Sequence, residues 1–296
     1  MSKCKVSYII PYRKSSEDRD RNMSLTLRWL STHFSHYEVI IVELDSAPKL
    51  NKELLPPDAK YVFQCNDGIF SRSLARNIGA LSASHDILVF ADNDLIMNPE
   101  GFDFCIEQCC ENYEAVNPFC VYLDLSEEEL GQLDIERNGL EALYKSNESP
   151  KINDTDCHRY APTFAGGIMI IRKNALFHIG GWPEEMIGWG AEDNTISYKI
   201  ERFLGKKSYS NYIYHLPHER LVYDWNSHPE FKNNCEKMNN VFDMTDNELI
   251  LYCENSKKKI LSYQSNSFTS EYTNALLAYK LPYPKPKPND MGFTFL

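Results

Sequence analysis

The amino-acid sequence predicts an α/β fold, an open sheet with helices on both faces, followed by a mainly helical extension. In the first half of the chain, short apolar runs alternate with amphipathic helical stretches. The 296 residues are 43% apolar and 25% charged, which is typical of a globular chain of this size. Strand patterns stop near residue 224. We therefore expect one large domain, residues 1–224, and a helical extension with a proline-rich tail, residues 225–296.

The elements of the first half follow from apolar spacing. Mostly apolar runs of strand length predict four strands, at residues 6–12, 38–44, 61–64 and 86–91. Apolar residues at helical spacing predict helices over residues 20–33 and 71–83, and both should cover the sheet. A helix over residues 99–113 and a strand over residues 115–123 are expected next.

The second half begins with a capping-box pattern at residues 126–129, which predicts an acidic helix reaching about residue 147. The polar segment 151–162 is predicted to be a loop. A buried strand over residues 168–171, a helix over 193–204 that Gly205 ends, and a short strand over 209–214 follow. Prolines at every second position over residues 282–288 predict an extended tail.

Charge and cysteine content restrict the classes of function. A net charge of -11 opposes general nucleic-acid binding, because phosphate backbones would repel the chain. The apolar runs are too short for a transmembrane helix or a signal peptide. The nine cysteines contain no C-x-x-C pair, and Cys105, Cys109 and Cys110 are interpreted as a buried helix rather than a metal site. Reduced thiols then indicate a cytoplasmic protein.

The clearest chemical motif is Asp92-Asn93-Asp94, which comes directly after an apolar strand. At strand spacing the two carboxylates are expected to point the same way. Hard oxygen ligands at the carboxyl end of a strand can hold Mn²⁺ or Mg²⁺ against a diphosphate. The alternative is a turn with solvated acids.

A second motif runs from Trp189 through Gly190 and Ala191 to Glu192 and Asp193. The tryptophan offers a flat apolar face against which a sugar can stack, and the acids are candidates for an active-site base. The alternative is that the two carboxylates cap the helix that begins there.

Further candidates lie at the ends of other predicted elements. His215 and His218 follow a short strand and could complete a metal site, although surface histidines are common. The segments Pro11-Tyr12-Arg13 and Phe70-Ser71-Arg72 combine aromatic and guanidinium groups, which can stack a base and pair with phosphate. Arg13 also fits a solvated surface.

Together these motifs resemble the GT-A nucleotide-sugar glycosyltransferases over residues 5–224. The segments that match are 6–13 for the first strand, 70–79 for an F-x-R-x-x-x-x-N-x-G helix, and 92–94 for the D-x-D motif. Segments 164–167 and 189–193 resemble the F-G-G and W-G-G-E-D signatures of β-1,4-galactosyltransferases and of inverting bacterial family 2 enzymes of the chondroitin-polymerase type. Ala191 replaces a glycine of that signature.

The resemblance implies a GT-A type mixed sheet and a role for each matching residue. Asp94 and His218, with His215 as the alternative histidine, would bind Mn²⁺ or Mg²⁺, and Asp193 would be the general base. The acceptor would meet Trp189, Gly190, Glu192 and Asp193. The donor-binding residues would be Pro11, Tyr12, Arg13, Glu43, Asp45, Phe70, Arg72, Asp92, Asn93, Gly167 and Trp189, where either Glu43 or Asp45 would contact uracil.

The leading hypothesis is an inverting, metal-dependent transfer of galactose or an N-acetylhexosamine from a UDP-sugar to a glycan or lipid-linked glycan. The enzyme would be cytoplasmic, either free or peripheral to the inner face of the membrane. One alternative is a sugar-nucleotide nucleotidyltransferase, but residues 11–14 are not its glycine-rich phosphate loop. A non-catalytic glycan-binding protein of the same fold is the other alternative.

Overall fold

The computed structural model describes residues 4–133, 158–160, 164, 166–219, 230–263 and 269–288. Their strands are β1 (Val6–Tyr12), β2 (Tyr37–Asp45), β3 (Lys60–Cys65), β4 (Ile87–Ala91), β5 (Leu95–Met97), β6 (Ala115–Asn117), β7 (Val121–Asp124), β8 (His158–Tyr160), β9 (Ile168–Arg172), β10 (Lys206–Ser208) and β11 (Tyr212–His215). The helices are α1 (Glu17–His33), α2 (Arg72–Ser82), α3 (Pro99–Glu111), α4 (Glu127–Gly131), α5 (Lys173–His178), α6 (Glu192–Phe203), α7 (Phe231–Asp243), α8 (Asp246–Leu261) and α9 (Ser270–Ala278).

The central sheet has the strand order β10-β6-β9-β4-β1-β2-β3. Strands β4, β1, β2 and β3 run parallel, whereas β9 is antiparallel to both β4 and β6. The carboxyl ends of β4, β1 and β2 therefore meet at one edge of the sheet, where open α/β sheets bind their ligands. The expected α/β class with a mixed sheet is confirmed.

Both faces of the sheet are covered, because alternate residues of each strand point to opposite sides. Tyr8 and Ile10 of β1 join the apolar cluster that includes α1 and α3, while Ile9 joins the cluster of α2 and α6. Helix α2 approaches the sheet closely at Gly79, where an added Cβ would lie 2.3 Å from Ile9 Cγ2. This contact explains why the F-x-R-x-x-x-x-N-x-G motif ends in glycine.

A second, smaller sheet has the order β5-β11-β7-β8. Strand β11 pairs with β5 and β7 in a register that places His215 opposite both Leu95 and Asp124. The second sheet thus brings His215 next to the segment that follows the D-x-D motif.

The extension is mainly helical, as predicted. Five of its buried apolar residues belong to the same cluster as α2 and α6, namely Val241, Leu249, Cys253, Ile260 and Leu276, while Met238 packs with Met186 and Ala191. The tail is also attached, since the Lys285 amide donates to the carbonyl of Arg202 at 2.7 Å. The division at residue 224 stays a prediction.

Several predicted elements differ from the structure. The strand predicted over 115–123 is divided into β6 and β7, which lie in different sheets, because Pro118 lacks the N–H that a continuous ladder needs. The segment predicted as a loop, 151–162, contains β8, and the strand predicted over 209–214 is shorter than expected. The capping box at Ser126 is present, but α4 ends at Gly131. The predicted remainder of that helix lies outside the described residues, as does the end of the tail.

The prediction that all cysteines are reduced is wrong for one pair. Cys4 and Cys110 form a disulfide that links the start of the chain to α3. Cys105 and Cys109 are buried free thiols of α3, which agrees with the helix interpretation. The cytoplasmic location, which was inferred from reduced thiols, therefore loses that support. Among the described helices, none is long and apolar enough to cross a membrane.

Candidate active site

One carboxylate and two imidazoles converge at the edge where β4 ends. Asp94 lies in the turn between β4 and β5, and its Oδ2 is 3.3 Å from His218 Nε2 and 3.7 Å from His215 Nε2. One ligand atom from each of the three residues fits within a 4.8 Å span. This donor set suits a Mn²⁺-class ion, for which imidazole and carboxylate are both good ligands.

Hydrogen bonds fix the positions of these three residues. The Leu216 amide donates to the Asp94 carbonyl at 2.8 Å, which ties the histidine segment to the D-x-D turn. Asp124 accepts at 2.8 Å from His215 Nδ1, and this contact directs the other ring nitrogen toward Asp94. Asn22 of α1 is fully buried, and its side-chain amide donates to the carbonyl of Pro217 at 3.1 Å.

Arg19 of α1 also contacts the Asp94 carboxylate. Asn93 strengthens this contact, because its side-chain amide donates to the Arg19 carbonyl at 3.0 Å. Burial alone would raise the pKa of Asp94, but His215, Arg19 and His218 outweigh it and hold that pKa to about 2. The carboxylate is therefore ionised, as a cation ligand requires, and Arg19 contacts the oxygen that faces the two histidines.

The two acids of the D-x-D motif have different partners, so the expectation that they point the same way is wrong. Strand β4 ends at Ala91 and the backbone then turns, which separates the carboxylates. Asp92 pairs with Arg76 Nη2 at 3.2 Å, whereas Asp94 lies beside His215 and His218.

Arg76 connects the D-x-D motif to the second motif. Its Nη1 lies 3.2 Å from Asp193 Oδ1, so one guanidinium bridges Asp92 and Asp193. The Arg76 residue is 1% exposed and lies over the Trp182 ring at 4.1 Å. Residues that are about 100 positions apart in the sequence are thereby brought to one site.

The acids at the start of α6 do not cap it. The N-cap residue is Ala191, in a left-handed conformation with φ of 72°, and no side chain closes a cap hydrogen bond there. Glu192 instead faces Arg72 at 3.7 Å, while Asp193 faces Arg76. The Asp193 side chain is 27% exposed, and its partial burial, together with the charges of Glu192 and Asp92, raises its pKa to about 7 despite Arg76. A carboxylate with this pKa is suited to proton transfer near neutral pH.

The predicted donor segments meet at the ends of β1, β2 and β3. Arg13 donates to three carbonyls, those of Leu44, Asn66 and Gly68, at 2.6 to 2.9 Å. Its guanidinium also lies 5.4 Å from the centre of the Phe70 ring. Arg13 thus joins the loops that follow β2 and β3 beside Phe70.

The remaining predicted donor residues have varied surroundings. Glu43 is fully buried and accepts from the amide of Leu50 and the hydroxyl of Tyr61, so it supports a loop. Asp45 pairs with Lys49 at 2.7 Å.

The other predicted donor residues also have partners within the protein. Pro11 pairs in register with Val42. Tyr12, which is 2% exposed, donates to Asp20, and Gly167 accepts from the Asp92 amide at 3.1 Å. Trp189 packs against Phe231 with ring centres 5.3 Å apart. Their roles in donor binding stay predictions.

Sequence reasoning missed several residues that build the site. Arg76 and Asn77 lie inside the F-x-R-x-x-x-x-N-x-G motif, for which the sequence predicted a role only for Phe70 and Arg72. Asn77 holds both the amide and the carbonyl of Trp182, at 2.9 and 3.0 Å. The signal that could have found Arg76 is its spacing of four from Arg72, which places both on one face of a helix. Arg19 and Asp124 carried no comparable signal, because their contacts depend on tertiary structure.

Comparison with known proteins identifies the family. Residues 7–223 match the family described as Glycosyltransferase like family 2. The chain belongs to this family.

Individual relatives of this glycosyltransferase are distant. Validoxylamine A glucosyltransferase of Streptomyces hygroscopicus subsp. jinggangensis (strain 5008) is 24% identical over 217 residues, 66% of this chain and 51% of that protein. Polypeptide N-acetylgalactosaminyltransferase 3 of Mus musculus is 30% identical over 140 residues, 43% of this chain and 22% of that protein. The chain therefore spans from about a fifth to about half the length of these relatives.

A solved structure supports the fold. The crystal structure of GalNAc-T7 with UDP, GalNAc and Mn²⁺ superposes with a TM-score of 0.53 at 15% identity, covering 92% of this chain and 53% of that one. The expected resemblance to GT-A glycosyltransferases is confirmed at the level of family and fold.

Proposed function

We propose that this glycosyltransferase moves a hexose, either galactose or an N-acetylhexosamine, from a UDP-sugar to a glycan or lipid-linked glycan acceptor with inversion. The observation that carries the proposal is the Arg76 bridge between Asp92 and Asp193. The bridge joins Asp92, which is expected beside the donor, to Asp193, which is expected beside the acceptor. The family assignment favours transfer over the nucleotidyltransferase and glycan-binding alternatives.

Asp94, His218 and His215 would hold Mn²⁺ or Mg²⁺. A bound divalent ion would neutralise charge on the leaving diphosphate, as Mn²⁺-class ions do in phosphate chemistry. The donor set supports this assignment, since one ionised carboxylate and two ring nitrogens converge there. A chain with a net charge of -11 needs such local positive charge to accept a diphosphate.

Asp193 acts as the general base on the acceptor hydroxyl. The carboxylate takes the hydroxyl proton while the oxygen attacks the anomeric carbon of the donor. The bond from that carbon to the diphosphate oxygen breaks, and UDP leaves with the electron pair. One in-line displacement of this kind inverts the anomeric configuration. The pKa of Asp193, about 7, supports the role because the group is partly ionised at neutral pH.

The neighbouring groups orient the two substrates. Arg72, held 3.7 Å from Glu192, is 26% exposed and so can reach a diphosphate without leaving the site. Glu192 would bind an acceptor hydroxyl, and the Trp189 face would stack on a sugar ring. The Phe70 ring beside Arg13 offers a surface for the uracil base.

The test is to incubate the purified chain with a panel of UDP-hexoses and UDP-N-acetylhexosamines, with and without Mn²⁺, and to offer methyl hexosides and methyl N-acetylhexosaminides as acceptors. We expect metal-dependent UDP release and, by NMR, a β-linked product from an α-linked donor. An α-linked product would refute inversion. Pyrophosphate turnover would support the nucleotidyltransferase, and sugar binding without UDP release would support the glycan-binding alternative.

A further inference from the structure

The Trp189 loop, residues 187–190, is held by the first helix of the C-terminal extension. The side-chain amide of Asn234 on α7 donates to the carbonyl of Ile187 at 2.8 Å and to that of Trp189 at 3.2 Å. Asn234 is 1% exposed, so its amide cannot be replaced freely by water. One buried side chain therefore satisfies two carbonyls of a segment that has no regular structure.

Helix α7 touches this loop at further points. The Phe231 ring packs against Trp189, and an added Cβ on Gly190 would lie 2.7 Å from that ring. Gly188 and Gly190 have φ values of 80° and 93°, a conformation that glycine adopts without a steric penalty. The loop is thus folded closely onto α7 rather than free in solution.

The same loop is tied to both substrate sides of the site. The Gly188 amide donates to the Phe70 carbonyl at 2.9 Å, on the donor side. Trp189 comes three residues before Glu192, which begins α6 together with Asp193. Met238 of α7 packs with Met186 and Ala191, so the helix contacts the segment just before and just after the loop.

We propose that Asn234 is a positioning residue of the acceptor site, and that α7 is part of that site rather than an appendage. This inference rests on the proposed function. By fixing two carbonyls, Asn234 sets the path of the loop and therefore the direction of the Trp189 ring. The residues proposed to bind the metal, Asp94, His215 and His218, lie on other elements, so metal binding should be unaffected. Because the loop leads directly into Glu192 and Asp193, acceptor binding should be weakened most.

The test compares Asn234→Leu, which is similar in size but cannot donate, with Asn240→Leu at an exposed position of the same helix. Loss of two hydrogen bonds should weaken acceptor binding and raise the acceptor KM about tenfold or more. A loss of about 1.4 kcal/mol in binding free energy corresponds to a tenfold loss of affinity. The Kd for Mn²⁺ alone should change by less than about twofold, because Asp94, His215 and His218 lie on other elements. Asn240→Leu should resemble the wild type in every measurement.

Hydrogen exchange of the backbone gives a readout that does not need activity. The Gly188 amide should exchange faster in Asn234→Leu than in the wild type or in Asn240→Leu. If Asn234→Leu does not fold, Asn234→Ala removes the donor without added bulk or charge and should give the same pattern. An unchanged acceptor KM and unchanged exchange would overturn the inference. A wild type without transfer, but with faster exchange in the variant, would refute the proposed function and leave the loop contact standing.

Discussion

Replacing Arg76 with glutamine removes the cation that separates Asp92 from Asp193. Each carboxylate lies 3.2 Å from the guanidinium, and Arg76 also covers the Trp182 ring. Removing one partner of a fully buried ion pair costs about 3–5 kcal/mol. The two acids are 29% and 27% exposed, so water can take up part of the lost interaction. We therefore expect Arg76→Gln to lower the free energy of unfolding by about 2–3 kcal/mol, which lowers Tm by roughly 4–12 °C.

The same change has a signature in the pH dependence. Arg76 lowers the pKa of Asp193, whereas burial, Glu192 and Asp92 raise it to about 7. Without Arg76 the pKa rises further, so the base is protonated at neutral pH and the rate recovers only at higher pH. The measurement is kcat/KM against pH for Arg76→Gln. Arg28→Gln, at an exposed position of α1, is the control. A profile of Arg76→Gln that coincides with the wild type would refute this account of the bridge.

Three further predictions concern the metal site and the packing of α2. Asp94→Asn should abolish Mn²⁺-dependent UDP binding in calorimetry, because the only carboxylate of the described metal cluster is lost; full binding would contradict the assignment. Arg19→Met should tighten Mn²⁺ binding, since the guanidinium occupies the Asp94 carboxylate; weaker binding would show that Arg19 supports the site. Gly79→Ala should lower the free energy of unfolding by about 1–3 kcal/mol in urea through overpacking, while Gly131→Ala, with nothing within 4 Å, should not.

The sequence predicted the parts of the fold that local pattern controls. Strands β1 to β4 and helices α1 to α3 carry clear apolar periodicity, so their positions agree with the structure to within a few residues. Strand β5 was missed because Leu95–Met97 is too short to show alternation. The division at Pro118 was missed because the apolar character continues on both sides of it.

The candidate site was predicted less completely than the fold. Asp94, His215, His218 and Asp193 were singled out because carboxylates and imidazoles at strand and helix ends are recognisable from the sequence. The Arg76 bridge was not predicted, because a guanidinium inside an amphipathic helix normally indicates a solvated face. Likewise, the hydrogen bonds from Asn234 to the Trp189 loop depend on how the extension packs, and no short-range sequence pattern predicts that packing.

The most direct test of the central claim is Asp193→Asn, measured for turnover, Tm, and binding of UDP with Mn²⁺. Asparagine has nearly the same shape but cannot accept the acceptor proton. We expect turnover to fall roughly 10²–10⁴-fold, the usual contribution of a positioned base, with UDP and Mn²⁺ binding nearly intact. An equally stable variant with wild-type turnover would contradict the assignment of Asp193 as the base.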